Sequence, residues 1–245
     1  MPQLTTEFEK VKDAEVLAQQ PTVTQSYAQS PAPAPAVAKK GDPTALGIFA
    51  YGFGLMILSL YALGVYSWGE HLTLAAPALV FSGLLLLVAA NWEYNNGNSF
   101  GATAFGTYAG FFLTFSVLTI FLNLGWVTDL EHAHLVGMLA LAFSIMTLVY
   151  WVASFKMTIA HNLMLFFLLI TFILWTIPLM SMTSSGTALG SMPGAVYPAG
   201  VAGIIDVLFT IYLAAAVTIN DRWEKAGFKP LLPLGPIGQK KNIEK

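Results

Sequence analysis

Apolar runs of about twenty residues, broken by short polar stretches, recur along this chain from Thr44 to its C-terminal region. They fall at roughly 44–66, 73–92, 100–123, 133–155, 160–181 and 196–219, each close to the length that a bilayer-crossing helix needs. The breaks between them are short, which favours neighbouring helices running up and down. The pattern therefore predicts an all-α membrane protein, a bundle of six transmembrane helices. Pro77 falls in the first turn of the second span, where proline is tolerated. Pro178 lies near the end of the fifth and predicts a kink or stop. Outside the spans, about residues 1–41 read as a disordered tail with room for a short helix over Glu7–Ala18, because Ser30-Pro31-Ala32-Pro33-Ala34-Pro35-Ala36 is low-complexity and breaks helices. A six-helix domain over about 42–219 and a polar C-terminal tail over about 220–245 complete the expected organisation.

The break from Trp92 to Phe105, Trp92-Glu93-Tyr94-Asn95-Asn96-Gly97-Asn98-Ser99-Phe100-Gly101-Ala102-Thr103-Ala104-Phe105, carries the most information. It is polar and glycine-rich between two membrane-length runs. It must return the chain at a membrane surface, with Asn98 and Ser99 as helix-capping residues. A similar start signal stands before the first span in Asp42-Pro43, with Asp42 expected at the N-cap and Pro43 at the first helical position. Gly47, Gly52 and Gly54 then suit close packing of span one.

Charge fixes the topology. The chain has 11 Lys and Arg. With six spans, Lys10, Lys12, Lys39, Lys40, Lys156, Arg222, Lys225, Lys229, Lys240, Lys241 and Lys245 all fall on one side. The opposite loops carry Glu70, Asp129 and Glu131. The positive-inside rule then predicts cytoplasmic termini. Composition agrees: 56% hydrophobic and 10% charged residues are too apolar for a soluble domain. No basic, aromatic-rich patch suggests nucleic-acid binding, and the absence of cysteine excludes thiolate chemistry. No basic and apolar leader pattern is expected to be cleaved.

In span three, a helical wheel puts Gly106 and Gly110 on one face, smooth enough for a neighbouring helix to approach. Phe105, Tyr108, Phe111, Phe112 and Phe115 crowd the other. This face reads either as a pore lining with Tyr108 as hydrogen-bond donor, or as a lipid- or core-facing aromatic stripe. In span six, Asp206 shares a narrow face with Ala199, Gly203, Thr210 and Ala214. A carboxyl there is costly and should face the bundle interior or water. It reads as a proton carrier or gate, or as a structural hydrogen-bonder. No Lys or Arg falls inside any predicted span, so an anion must be held by neutral donors or helix N-termini, or cross with a proton. Candidate donors are Tyr51, Asn98, Thr103, Tyr108, Thr171 and Trp175. His71, His132, His134 and His161 are spaced for surface solvation rather than for a metal site. Phosphate-binding loops and a Ser/His/Asp context are absent, so neither a cofactor nor an enzyme is expected.

Glu93-Tyr94-x-x-Gly97-Asn98-Ser99-Phe100-Gly101-x-Thr103-Ala104-Phe105-x-x-Tyr108 closely resembles the signature of the acetate uptake transporter family, the acetate/succinate–proton symporters of bacteria, archaea and fungi. Asp42-Pro43-Thr44-Ala45-Leu46-Gly47 resembles that family's Asn-Pro-Ala-Pro-Leu-Gly motif. Lys156, Ile211-Tyr212-Leu213-Ala214 and Leu232-Pro233-Leu234-Gly235 also look familial. The resemblance, over about residues 42–236, implies six transmembrane helices with cytoplasmic termini, set in the plasma membrane as a homo-hexamer in which each protomer has its own pore. It implies transport of small monocarboxylates, chiefly acetate, in some members succinate, together with protons. A family constriction of Phe, Tyr and Leu falls on Tyr51, Tyr108 and Leu168. Three departures stand out: the motif's Asn is Asp42, its second Pro is Ala45, and the constriction's Phe is Tyr51, while Asp206 lies outside the family pattern.

The sequence thus predicts a proton-coupled transporter or channel for acetate and similar small monocarboxylates. Substrate contacts are expected at Tyr51, Asn98, Thr103, Tyr108 and Leu168, and proton coupling at Asp206. Two other readings stay open: a pore for small neutral solutes such as urea, amides or ammonia, and a non-transporting membrane sensor or scaffold whose N-terminal tail recruits partners.

Overall fold

Pro43 has no N–H to give, so Thr44 is where the first helix begins. Its backbone N–H donates to Asp42 Oδ1 at 2.9 Å. The N-cap position is held by Pro43, one residue later than the sequence suggested, and Asp42 serves as the acceptor just outside the helix. The structure, a computed structural model, describes residues 41–66, 70–184, 186–187 and 192–235. The expected N-terminal tail with its short helix, and the last residues of the C-terminal tail, lie outside the described residues.

The elements are α1 (Thr44–Ala62), α2 (His71–Pro77), a π-helical segment (Ala78–Leu84), α3 (Leu85–Asn95), α4 (Ser99–Asn123), α5 (Asp129–Ala153), a 3₁₀ turn (Ser154–Lys156), α6 (Ile159–Met180), a two-residue hairpin of β1 (Met182–Thr183) with β2 (Gly186–Thr187), and α7 (Met192–Lys225). Its two strands are antiparallel, with Met182 opposite Thr187. Among the described residues, six helical spans are long and apolar enough to cross a membrane, the second being α2, the π segment and α3 in series. Outward-facing side chains such as Leu87, Val88, Ile145, Val149 and Leu208 are apolar, as a lipid-facing surface requires. The chain is an integral membrane protein.

Span boundaries moved where hydropathy could not see them. The first span ends at Ala62, before Gly64 turns the chain with a positive φ. The sixth is 34 residues long, about 51 Å at 1.5 Å per residue, so its polar end projects past a hydrocarbon core of ~30 Å. There Lys225 pairs with Asp221 one turn back. The second span starts at His71, which places Pro77 in its seventh position. Proline removes an N–H and crowds the preceding turn, and the helix responds by widening to π geometry immediately after it.

The C-terminal segment folds back instead of leaving the bundle. Asn220 Nδ2 donates to the Leu232 carbonyl at 2.8 Å, and the Leu231 and Leu232 N–H groups donate to Asn220 Oδ1 at 2.9 and 3.0 Å. Tyr212 OH donates to the Pro233 carbonyl. The Gly235 carbonyl accepts the Ile159 N–H at 2.8 Å, joining the Leu-Pro-Leu-Gly motif to the start of α6.

α1 is the pivot: it packs against α7, span two and α4, while α5, α6 and α7 pack in sequence. Its glycines permit this. A Cβ on Gly52 would stand 2.6 Å from Thr210 Cγ2 of α7, and one on Gly54 would collide with Phe112 and Ser82. The expected glycine ridge of α4 behaves differently. A Cβ on Gly106 would meet only Ala90 at 3.7 Å, and one on Gly110 nothing within 4 Å. Nothing stands within 4 Å of that position on Gly110, although span two packs along the same face of α4, with Ala90 beside Gly106 and Gly83 against Leu113.

Candidate functional site

With an even number of spans, the start of α1 and the end of α7 share one end of the bundle, here called basal. Three cavities follow one another between α1, α4, α5 and α6. The far one is bounded by Tyr61, His71, Asp129 and His132. The middle one is lined by Tyr51, Leu55, Tyr108, Phe111, Leu168 and Trp175 among others, and is nearly all apolar. The basal one is lined by Thr44, Tyr51, Asn98, Tyr108 and His161. Far and middle cavities share Leu58, Phe115, Val136 and Trp175; middle and basal cavities share Tyr51 and Tyr108. The volumes are about 30 Å³ for the far and middle cavities and about 170 Å³ for the basal one. A water needs ~10–15 Å³, so the first two are narrow, with two or three water-sized positions each, and the third is several times roomier.

The narrow wall is aromatic. The rings of Tyr51 and Tyr108 lie 5.5 Å apart between centroids. Phe111 packs edge-on against Phe143 and Phe172 at 5.1 and 5.2 Å. Leu168 is 1% exposed and lines the middle cavity beside both tyrosines. Tyr51, Tyr108 and Leu168, far apart in sequence, are therefore brought together. Both phenols are already engaged sideways. Tyr51 OH donates to Asp206 Oδ2 at 2.6 Å, and Tyr108 OH shares a hydrogen bond with Thr147 Oγ1 at 3.0 Å. Neither Asp206 nor Thr147 lines any of these three cavities. What remains in the lumen at the wall is ring and aliphatic surface.

Asp206 is fully buried on α7. The narrow face it shares with Ala199, Gly203, Thr210 and Ala214 is buried throughout. Thr210 Oγ1, one turn on, donates to Asp206 Oδ1 at 2.9 Å. The carboxyl thus stands behind Tyr51 and reaches the pathway only through that hydroxyl. The other expected donors divide. Asn98 caps α4 by accepting the Gly101 N–H at 3.1 Å and borders the basal cavity. Thr171 and Trp175 line the middle cavity. Thr103 faces outward, lines none of the three cavities, and donates to the Ser99 carbonyl at 2.8 Å. The helical turn that brings Ala104 and Tyr108 inward carries Thr103 out.

Two sets of residues escaped the sequence reading. Glu93, 2% exposed, accepts from Thr44 Oγ1 at 2.6 Å and from Asn98 Nδ2 at 2.8 Å. The two motifs thus meet at one carboxyl that ties the starts of α1 and α4 to the end of α3. Gly97 makes the turn possible with φ +77°. The second set is the histidines, none of which is exposed. His71 Nδ1 lies 2.6 Å from Tyr61 OH, and its ring centroid is 6.2 Å from that of His132. His134 Nε2 meets the Met182 carbonyl at 2.9 Å, and His161 Nδ1 meets Thr158 Oγ1 at 2.8 Å. Surface solvation is therefore the wrong description: His71, His132 and His161 line the two ends of the cavity series. Their places at span ends were a usable signal; their approach across different spans was not. Among the described residues no cluster of three or more His, Asp or Glu is arranged to hold a metal.

A six-span bundle with a cavity series closed by an aromatic wall defines an integral membrane protein built around an internal pathway. The chain belongs to the GPR1/FUN34/yaaH family, whose model matches residues 25–228. It is 26% identical over 200 residues to the succinate-acetate/proton symporter SatP of Escherichia coli (strain K12), across 80% of this chain and 96% of that protein. It is 27% identical over 144 residues to acetate permease A of Emericella nidulans, across 56% of this chain and 48% of that one. The fold is similar to a solved structure of the bacterial acetate channel SatP, with a TM-score of 0.68 at 26% identity, covering 80% of this chain and 100% of that one. The family resemblance seen in the motifs is thereby borne out.

Proposed function

We propose that this protein carries acetate and similar short monocarboxylates across the membrane, together with a proton. The observation that carries this reading is the series of cavities meeting at Tyr51, Tyr108 and Leu168 in a chain similar to SatP and to an acetate permease. The wall offers ring and aliphatic surface to a methyl group and no fixed cation to a carboxylate. Crossing an apolar wall as an ion is far costlier than crossing as the neutral acid, which favours passage with a proton. Tyr51, Tyr108 and Leu168 form the constriction in this reading, Asn98 borders the inner vestibule, and Asp206 takes part in proton coupling through Tyr51. Thr103, on the outer surface, is given no substrate contact.

The one-sided Lys and Arg distribution supports a basal end facing the cytoplasm, with both termini there, in a plasma membrane. The family resemblance and the uncovered side of Gly110 support assembly into a homo-hexamer, each protomer keeping its own pore. Lack of Lys or Arg in the cavity linings also favours a second reading, a pore for small neutral solutes. Uptake of labelled acetate into proteoliposomes, with and without an inward proton gradient, tests the proposal. Acetate should enter, faster with the gradient. Entry that ignores the gradient removes the coupling, and urea or ammonia entry without acetate entry replaces the reading with the second one.

A further inference from the structure

The linings of the three cavities contain no lysine or arginine. Three imidazoles are the only side chains there able to take up positive charge: His71 and His132 at the far cavity, and His161 at the basal one. The far pair is the more concentrated, with ring centroids 6.2 Å apart across a cavity of about 30 Å³. α1 contributes Tyr61, whose hydroxyl meets His71 Nδ1 at 2.6 Å, and α4 contributes Thr119, whose Oγ1 lies 3.4 Å from His132 Nε2. Asp129 lines the same cavity from α5, and Glu70 precedes His71 in the chain. Trp175 and Leu58 then lead on to the middle cavity.

Resting on the function proposed above, we propose that His71 and His132 form a loading site for short monocarboxylates at the far mouth of the pathway. A protonated imidazole there attracts the carboxylate and hydrogen-bonds to it. The imidazolium then gives its N–H proton to a carboxylate oxygen, leaving neutral imidazole and the undissociated acid. The imidazole regains a proton from hydronium on the far side, which leaves water. Asp129 brings a carboxyl, not a cation, to the same cavity, so loading depends on imidazole charge rather than on the cavity alone. The acid that moves on carries no net charge into the apolar middle cavity.

The test compares the full chain with His71→Gln, His132→Gln and the double variant in proteoliposomes. The half-saturating acetate concentration is measured against far-side pH, alongside the maximal rate and the thermal midpoint. His132→Gln is the variant least open to misfolding, since the hydrogen-bond contact of His132 with Thr119 is long at 3.4 Å. The site predicts a half-saturating concentration raised about tenfold at acidic pH, which is ~1.4 kcal/mol of binding, with the maximal rate nearly kept and the pH dependence flattened. Unchanged half-saturation and an unchanged pH profile in folded variants overturn it. Histidine ring resonances of the wild type in nanodiscs, titrated with acetate and with chloride, separate this idea from the transport reading. Shifts of His71 and His132 specific to acetate support the site even if no acetate crosses; no shift in a transporting protein overturns it.

Discussion

Replacing Asp206 by alanine should cut acetate flux at least about a hundredfold and lower the thermal midpoint. The fully buried carboxyl accepts from Tyr51 at 2.6 Å and from Thr210 at 2.9 Å. Alanine strands both hydroxyls in the interface between α1 and α7, at ~1–3 kcal/mol for each buried group left without a partner. It also frees Tyr51 to swing its hydroxyl into the wall between the middle and basal cavities. Asp206→Asn keeps an acceptor for Tyr51 and should fold, so it separates structure from coupling. If Asp206 takes part in proton movement, Asp206→Asn alters the pH profile of flux. If it only positions Tyr51, the profile stays and the effect disappears in a Tyr51→Phe background. In either case the pair should be non-additive by ~0.5–3 kcal/mol, the range for residues in direct contact. Strict additivity of the two substitutions would show that the contact has no part in transport.

Glu93→Ala should be the most destabilising single change at the basal end. The carboxyl is 2% exposed and collects Thr44 Oγ1 and Asn98 Nδ2. Asn98 in turn caps α4 through the Gly101 N–H. The Thr44 hydroxyl left without its acceptor and a weakened cap sum to roughly 1.5–5 kcal/mol. Glu93→Gln, which can still accept from Thr44, should lose less. Because Thr44 and Asn98 also border the basal cavity, the alanine variant should transport poorly even where it remains folded. Thermal unfolding of the purified protein in detergent measures the first effect, and a midpoint equal to wild type refutes the clamp.

The six spans were legible because hydropathy and charge agree: only an even count places all 11 Lys and Arg on one side. Their ends were less so. Hydropathy registers lipid contact, not helix, and so missed the polar continuation of α7 to Lys225 and the π segment after Pro77. In the site, the wheel found the inward face of α4, since Tyr108, Phe111, Phe112 and Phe115 are all buried. Motif membership misled at Thr103, because a motif records residue identity and not direction. Contacts between distant positions were out of reach. Tyr51 and Asp206 are separated by 155 positions and their hydrogen bond depends on how α1 and α7 are set against each other. His71 and His132 meet only after α2 and α5 are packed around the far cavity. The two departures noted at Tyr51 and Asp206 prove to be a single contact, which no one-dimensional pattern displays.

The central claim is that solute passes through the middle cavity and across the wall of Tyr51, Tyr108 and Leu168. The chain has no cysteine, so a single one reports without background. Ala140 is buried and lines the middle cavity, whereas Thr103 faces outward. The direct measurement is acetate flux in Ala140→Cys and Thr103→Cys proteoliposomes before and after treatment with methyl methanethiosulfonate, with modification followed by mass spectrometry. The account predicts that Ala140→Cys is modified, that acetate slows its modification, and that flux is then lost, while modified Thr103→Cys transports normally. Full modification at position 140 with unchanged flux, or no modification there during active transport, would contradict it.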